Sequence, residues 1–344
     1  MADIEKLLTL ARSKTATDVH IVTGSPVLLR VNGELLPATK ESLNPQQARV
    51  LSYSLLTQAE IDEFERKLDL DFMTSDTNHE RYRVNLSFND GEVGAVIRLL
   101  ASVPVPLDEL GLPDLVRDLT EARKGLVLIT GSTSQGKTTT MASMINAINE
   151  TSRKHIVTIE DPIEYLHTNK NSVVRQREVG KDTESFARGL RAALRQDPDV
   201  IAIGEMRDYE TIKTALTAAE TGVLVLSTLH IISIDKIIER MLAYAPDGND
   251  GHIRVLLSEA LCAIIHQELL PIIGGGKRVA CETFVATSAS RNIMRKRDTS
   301  HLRNLITMGR RHGMQTMKHS LDELRGQGLL SDEVYTTVLK NYRS

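Results

Sequence analysis

Hydrophobic positions recur with two different periods in the first hundred residues of the chain. Helical spacing marks residues 4–13 and 45–56, and Thr57-Gln-Ala-Glu60 reads as a capping box opening a third helix. Alternating or β-branched runs mark strands at 19–22, 27–31 with a turn at Asn32-Gly33, 69–73, 81–88 and 94–100. The runs 81–88 and 93–99, joined through Asn89-Asp90-Gly91, predict a hairpin. The pattern is that of a small α+β unit. At Ala101-Ser-Val-Pro-Val-Pro106 the texture changes, because two prolines in three residues fit neither a ladder nor a helix interior, and a linker is placed there.

Beyond the linker the period alternates. Short Val/Ile/Leu runs at 126–130, 156–159, 200–203 and 223–227 are separated by helical stretches at 141–150, 184–195 and 209–220. Continuous apolar strands divided by helices predict a parallel sheet covered on both faces, an α/β domain. From about residue 233 the pattern is mainly helical, interrupted by Gly274-Gly-Gly276 and a strand-like run at 278–284. The expected organisation is therefore a domain at 1–100, a linker at 101–112 and a second domain at 113–344.

Composition narrows the classes. The 344 residues carry 42 Lys and Arg against 45 Asp and Glu, which argues against a dedicated nucleic-acid binder. With 7 Tyr, 5 Phe and no Trp, base-stacking platforms are poorly supplied. Two cysteines are too few for a disulfide framework or a four-cysteine zinc site. The first ten residues lack the basic start and long apolar core of a signal peptide, and no window reaches about 18 uncharged apolar residues. A cytoplasmic protein without a transmembrane segment is expected.

Candidate chemistry concentrates at the ends of the apolar runs. GSTSQGKTTT (131–140) has the spacing of a phosphate-binding loop and lies between a strand and a helix. Its backbone N–H groups and the following helix N-terminus suit phosphate oxygens, Lys137 reaches the β- and γ-phosphates, and the Thr138 hydroxyl ligates Mg2+. Glu205 follows the run 200–203, where a parallel sheet places its ligands, and is the candidate for the metal-side acid; as a plain alternative it is an acid at a helix N-terminus. A second acidic cluster, Glu160-Asp161-Pro162-Ile163-Glu164, ends the run 156–159, and spacing leaves open which carboxylate acts as base. Ser227-Thr-Leu-His230 closes a further strand and puts His230 on the same rim, either as part of the site or as a structural histidine.

Four stretches stand in order: GSTSQGKTTT, TIEDPIEYLH (158–167), the segment 173–208 ending in IAIGEMRD, and LSTLHIISIDKIIER (226–240). They closely resemble the Walker A, Asp, Walker B and His boxes of the secretion ATPases of type II secretion and type IV pilus systems. Length, the absence of a tetracysteine motif, ASRNIMRK (289–296) and GMQTM (313–317) are similar to the PilT-type retraction ATPases within that family. The resemblance runs essentially from end to end.

It implies a PAS-like N-terminal domain, a RecA-like ATPase domain with a helical last part, and a homohexamer at the cytoplasmic face of the inner membrane. ATP and Mg2+ would be held by Gly131, Ser132, Thr133, Ser134, Gln135, Gly136, Lys137, Thr138 and Thr139. It assigns Glu164 as catalytic base, Glu205 as Walker B acid and His230 as nucleotide sensor. It maps Arg83 and Arg98, in the hairpin 81–99, onto arginines that reach the nucleotide from the N-terminal domain. The implied function is ATP-driven pilus retraction through an inner-membrane platform protein, with a paralogous ATPase as a second partner. The same boxes serve secretion and conjugation motors and accessory paralogues, the alternative reading. Where the family's loop reads GPTGSGKST, this chain has Ser132 for Pro, Ser134 for Gly and Gln135 for Ser. A side chain at position 134 is expected to be strained if the loop requires positive φ there.

Overall fold

The computed structural model describes residues 3–31, 33–76, 80–100, 103–231, 233–246, 248–296 and 302–342. Asn32 of the expected turn and Ala101-Ser102 of the expected linker lie outside the described residues. The chain divides into two compact units, Met1–Val103 and Pro104–Ser344.

The first unit begins with α1 (Ile4–Ser13), followed by β1 (Asp18–Ile21), β2 (Leu28–Val31), β3 (Glu34–Pro37), α2 (Pro45–Tyr53), α3 (Gln58–Lys67), β4 (Asp69–Ser75), β5 (Arg81–Asn89) and β6 (Glu92–Leu99). The Thr57 box forms as expected: its hydroxyl accepts from the Glu60 N–H while Glu60 reaches back to the Thr57 N–H at 2.7 Å. Asp90 and Gly91, both at positive φ, make the two-residue turn that sets Asn89 opposite Glu92. Among the described residues the strands form one antiparallel sheet, in the order β3-β2-β1-β6-β5-β4. Its core centres on Phe64, which stacks on Phe88 at 4.9 Å and meets Tyr53 edge-on at 6.0 Å. β3 is the strand that the hydrophobic pattern does not mark: it lies at the sheet edge with all four residues exposed, so no alternation betrays it.

The second unit begins with a 3-10 turn (Leu107–Leu110), α4 (Asp114–Thr120), β7 (Gly125–Thr130), α5 (Lys137–Thr151), β8 (His155–Glu160), β9 (Val173–Glu178), α6 (Phe186–Ala193), β10 (Val200–Ile203) and α7 (Tyr209–Thr221). It continues with β11 (Leu224–Leu229), α8 (Ile234–Ala243), α9 (Asp250–Ala260), β12 (Leu261–Pro271), β13 (Lys277–Val285), α10 (Ser288–Arg295), α11 (Leu302–Met308), α12 (Met317–Gly326) and α13 (Asp332–Lys340). Leu107 is buried in this unit's core, so the chain after residue 104 belongs to it and does not act as free linker. Among the described residues the sheet order is β13-β12-β7-β11-β10-β8-β9, parallel except for the β12–β13 pair.

Alternation along the central strands builds two cores. Leu126 and Leu128 of β7, Ile201 and Ile203 of β10 and Val225 of β11 face one layer with α7 and α9. Val127 and Ile129, Val200 and Ala202, and Leu224 and Leu226 face the other with α4 and α5. Each such Leu or Ile, wholly withdrawn from water, stabilises by about 1.5–3 kcal/mol before entropy is counted. The α/β expectation holds, with two additions: an edge strand, β9, beside β8, and in the last part an 11-residue strand, β12, beside β7 where helix was expected. Its His266, Gln267 and Glu268 break the apolar run, and the reason they are there lies in the site.

Candidate active site

β7, β8, β10 and β11 run parallel and end along one rim of the sheet. Hydrogen bonds fix the strand ends in place. The Gly204 N–H donates to the Ile159 carbonyl at 2.8 Å, and Ser227 Oγ donates to the Ile203 carbonyl at 2.9 Å. Each turn that leaves this rim therefore starts from a rigid edge, which is where a parallel sheet presents ligand groups.

The loop 131–136 leaves β7 and enters α5 at Lys137, with Gly136 in the left-handed region as the residue preceding the helix. Gly131 is buried; Ser132, Thr133 and Ser134 are exposed; Gln135, Gly136, Thr138 and Thr139 are half-buried. Ser134 has φ +63°, so the expected strain at that position is real. Lys137 is 6% exposed, and its ammonium donates to the Ser132 carbonyl at 2.6 Å across the loop. Thr139 Oγ1 shares a hydrogen bond of 2.9 Å with the Tyr165 hydroxyl, which joins the start of α5 to the segment after β8.

Acid, imidazole and ammonium meet beside the loop. His230 Nδ1 lies 3.3 Å from the Lys137 ammonium, and its Nε2 lies 3.7 Å from a Glu205 oxygen. Because Lys137 can only donate, Nδ1 accepts, and the ring proton sits on Nε2 toward the carboxylate. Burial pushes the His230 pKa down; Lys137 adds to this, Glu205 opposes it, and Arg207 lowers it further. The ring is accordingly neutral near pH 7. Burial also lowers the Lys137 pKa, against the opposing pull of Glu205 and Glu164, so both carboxylates act electrostatically on the ammonium. Arg207 Nε pairs with Glu205 at 2.6 Å, a partner that sequence reasoning passed over although it stands two residues away. A cavity of about 470 Å³ opens here, lined by Thr133, Glu205, Arg207, His230 and Arg240 among others.

The acidic cluster after β8 divides by environment. Glu160 is buried and accepts from Thr158 Oγ1 at 2.6 Å and Gln176 Nε2 at 3.1 Å, a structural tie within the sheet. Asp161 is exposed, and Glu164 is the half-buried member whose charge reaches Lys137. The structure thus brings Lys137, Glu164, Glu205 and His230 to one place. Arg83 and Arg98 lie in the first unit, opposite each other in register on β5 and β6. Arg83 forks onto Asp71 at 2.6 Å, and Arg98 Nε donates to Asp18 at 2.9 Å. Burial raises the Asp18 pKa, but the Thr17 hydroxyl and Arg98 outweigh it and hold the carboxyl below its usual value.

β12 supports the loop from the side and was not foreseen. Thr130, the last residue of β7, shares a 3.1 Å hydrogen bond with His266 Nδ1, and His266 Nε2 lies 2.8 Å from the Tyr342 hydroxyl, which donates to Glu268. Burial, reinforced by the Lys137 charge, pushes the His266 pKa down to about 4.

A family model for type II/IV secretion system proteins matches residues 1–337. The chain belongs to that family. Of its relatives, the type IV pilus retractation ATPase PilT of Pseudomonas aeruginosa is 40% identical over 331 residues, 96% of each chain. A twitching motility protein of Neisseria gonorrhoeae is 40% identical over 332 residues, covering 96% of this chain and 88% of its own. The solved structure of the pilus retraction motor PilT with bound ADP superposes with a TM-score of 0.90 at 41% identity, covering 97% of this chain and 96% of that one. With these relatives the chain is an ATPase of the P-loop type. No helix among the described residues is long and apolar enough to cross a membrane.

Proposed function

We propose that the chain is the motor subunit of a homohexameric ATPase that hydrolyses ATP to power type IV pilus retraction. The observation that carries this reading is the convergence of Lys137, Glu205 and His230 beside the loop 131–136, in a family whose relatives include a pilus retraction motor with bound ADP. In this reading the loop N–H groups and the N-terminus of α5 hold the phosphates. Lys137 leaves the Ser132 carbonyl for the β- and γ-phosphate oxygens, where its charge offsets the charge that builds up during transfer.

The donor set suits Mg2+: a hydroxyl at Thr138 and a carboxylate at Glu205 are hard oxygen ligands, flanking the lysine. Bound there, the ion would supply positive charge to offset that of the phosphates. Glu164, the half-buried acid near Lys137, orients the attacking water and accepts its proton. His230 bridges the lysine and the Walker B acid, so a change in phosphate charge at Lys137 is felt at its ring. Arg83 and Arg98 are assigned to the nucleotide from the first unit; exchanging their carboxylate partners for phosphate would couple hydrolysis to movement between units. The working location is the cytoplasmic face of the inner membrane, against a platform protein, with a paralogous ATPase as a further partner.

The test pairs phosphate release by the purified chain with deletion of its gene. Turnover in vitro together with abundant surface pili and lost twitching in the deletion strain is the expected result. Cells bare of pili would point to assembly or secretion instead.

A further inference from the structure

The strand β12 pairs with β7 as far as His266 opposite Thr130 and then continues to Pro271, past the end of its neighbour. Over that stretch its outer partner is β13, with Gln267 opposite Cys281 and Leu269 opposite Val279. On the inner side β7 has already turned into the phosphate loop, so the ladder groups of β12 there face the loop. Gln267 lies directly beneath two of its glycines. A Cβ on Gly131 would come 2.5 Å from the Gln267 carbonyl oxygen, and one on Gly136 3.3 Å from its amide nitrogen.

Gln135 closes this gap with both its main chain and its side chain. Its carbonyl accepts from Gln267 Nε2 at 2.6 Å, and its Oε1 accepts from the Leu269 N–H at 2.5 Å. The side-chain amide thus takes the place that the next backbone carbonyl of β7 would hold had the strand continued. The residue anchored in this way directly follows Ser134, whose φ of +63° is disfavoured for any residue with a side chain. A strained residue persists where its surroundings over-determine it, and Gln135 supplies two anchors one residue away.

We propose that Gln135 is a positioning residue of the phosphate loop: by completing the β12 ladder with its side chain, it holds Ser134 in the left-handed conformation and keeps the loop shaped for phosphate. This rests on the reading of residues 131–139 as the nucleotide site. Serine at position 135 is too short to reach the Leu269 N–H, and methionine matches glutamine in length but offers no comparable acceptor.

The test is titration of the full-length chain with ADP carrying a fluorescent ribose tag, on wild type, Gln135→Ser, Gln135→Met, Ser134→Gly and the doubles with Ser134→Gly. Either change at Gln135 is expected to weaken ADP binding about tenfold, ~1.4 kcal/mol. With glycine at 134 the loop no longer needs the anchor, so the double variants should return to within about threefold of wild type. That recovery separates positioning from a general loss of folding, which glycine at 134 would not repair. Full affinity in Gln135→Met, or a loss equally large with and without glycine at 134, would overturn the proposal. A wild-type chain that binds no ADP would instead remove the nucleotide-site reading beneath it.

Discussion

Gly131→Ala tests the loop's fit against β12 most sharply. The added Cβ would stand 2.5 Å from the Gln267 carbonyl oxygen, a backbone atom that no rotamer change can move away. Position 131 also has φ +146°, a conformation that residues with a Cβ rarely adopt. The backbone term costs about 1–3 kcal/mol and the overpacking another 1–3 kcal/mol, so about 2–6 kcal/mol has to appear somewhere. If the loop yields, ADP affinity falls by roughly 30-fold or more; if the sheet yields, the unfolding midpoint drops. Tagged-ADP titration and thermal unfolding of the same sample read both. Gly328→Ala serves as control, because Gly328 has φ +71° with nothing within 4 Å of the added atom. That variant should lose about 1–2 kcal/mol of stability and no ADP affinity. A Gly131→Ala chain within threefold of wild type in affinity, and unchanged in melting, would refute the geometric argument.

Two further predictions concern stability. The pKa of His266 lies near 4 in the folded chain against 6.5 when unfolded, so the unfolded state binds more protons between these values. Its contribution is complete above pH 6.5 and is lost as pH falls toward 4, about 2 kcal/mol of it between pH 7 and pH 5. Urea midpoints at the two pH values should show that fall, and His266→Gln should flatten it; an equal slope in the variant would contradict the assignment. In the first unit, Phe64→Ala removes a fully buried ring stacked on Phe88 and should cost about 3–5 kcal/mol in urea unfolding. A loss under about 1 kcal/mol would mean the cluster is not that unit's core.

The strands that end at the site were legible because both of their faces are covered, which leaves continuous apolar runs in β7, β8, β10 and β11. The Thr57 box and the Asp90-Gly91 turn were legible for a different reason, since their side-chain chemistry is local. β12 was not legible. Its first half reads as buried helix or strand alike, and His266, Gln267 and Glu268 then place polar atoms where a core strand should be apolar. Those residues are polar because Thr130, Gln135 and Tyr342 need partners, and the partners lie some 75 to 135 residues away in the chain. β9 was missed at the opposite edge, where an exposed Val173 and the polar Gln176 and Glu178 on the inward side blur the alternation. The buried role of Glu160 likewise depends on Gln176 across β9, a contact that spacing along the acidic cluster cannot reveal.

The central claim is that the lysine of the loop and the acids of the neighbouring strand ends act on one nucleotide. Phosphate release from ATP with saturating Mg2+, measured for wild type and Lys137→Ala side by side, tests it most directly. The account predicts steady turnover by the wild type and its loss in the variant; a Lys137→Ala chain that releases phosphate at the wild-type rate would contradict it.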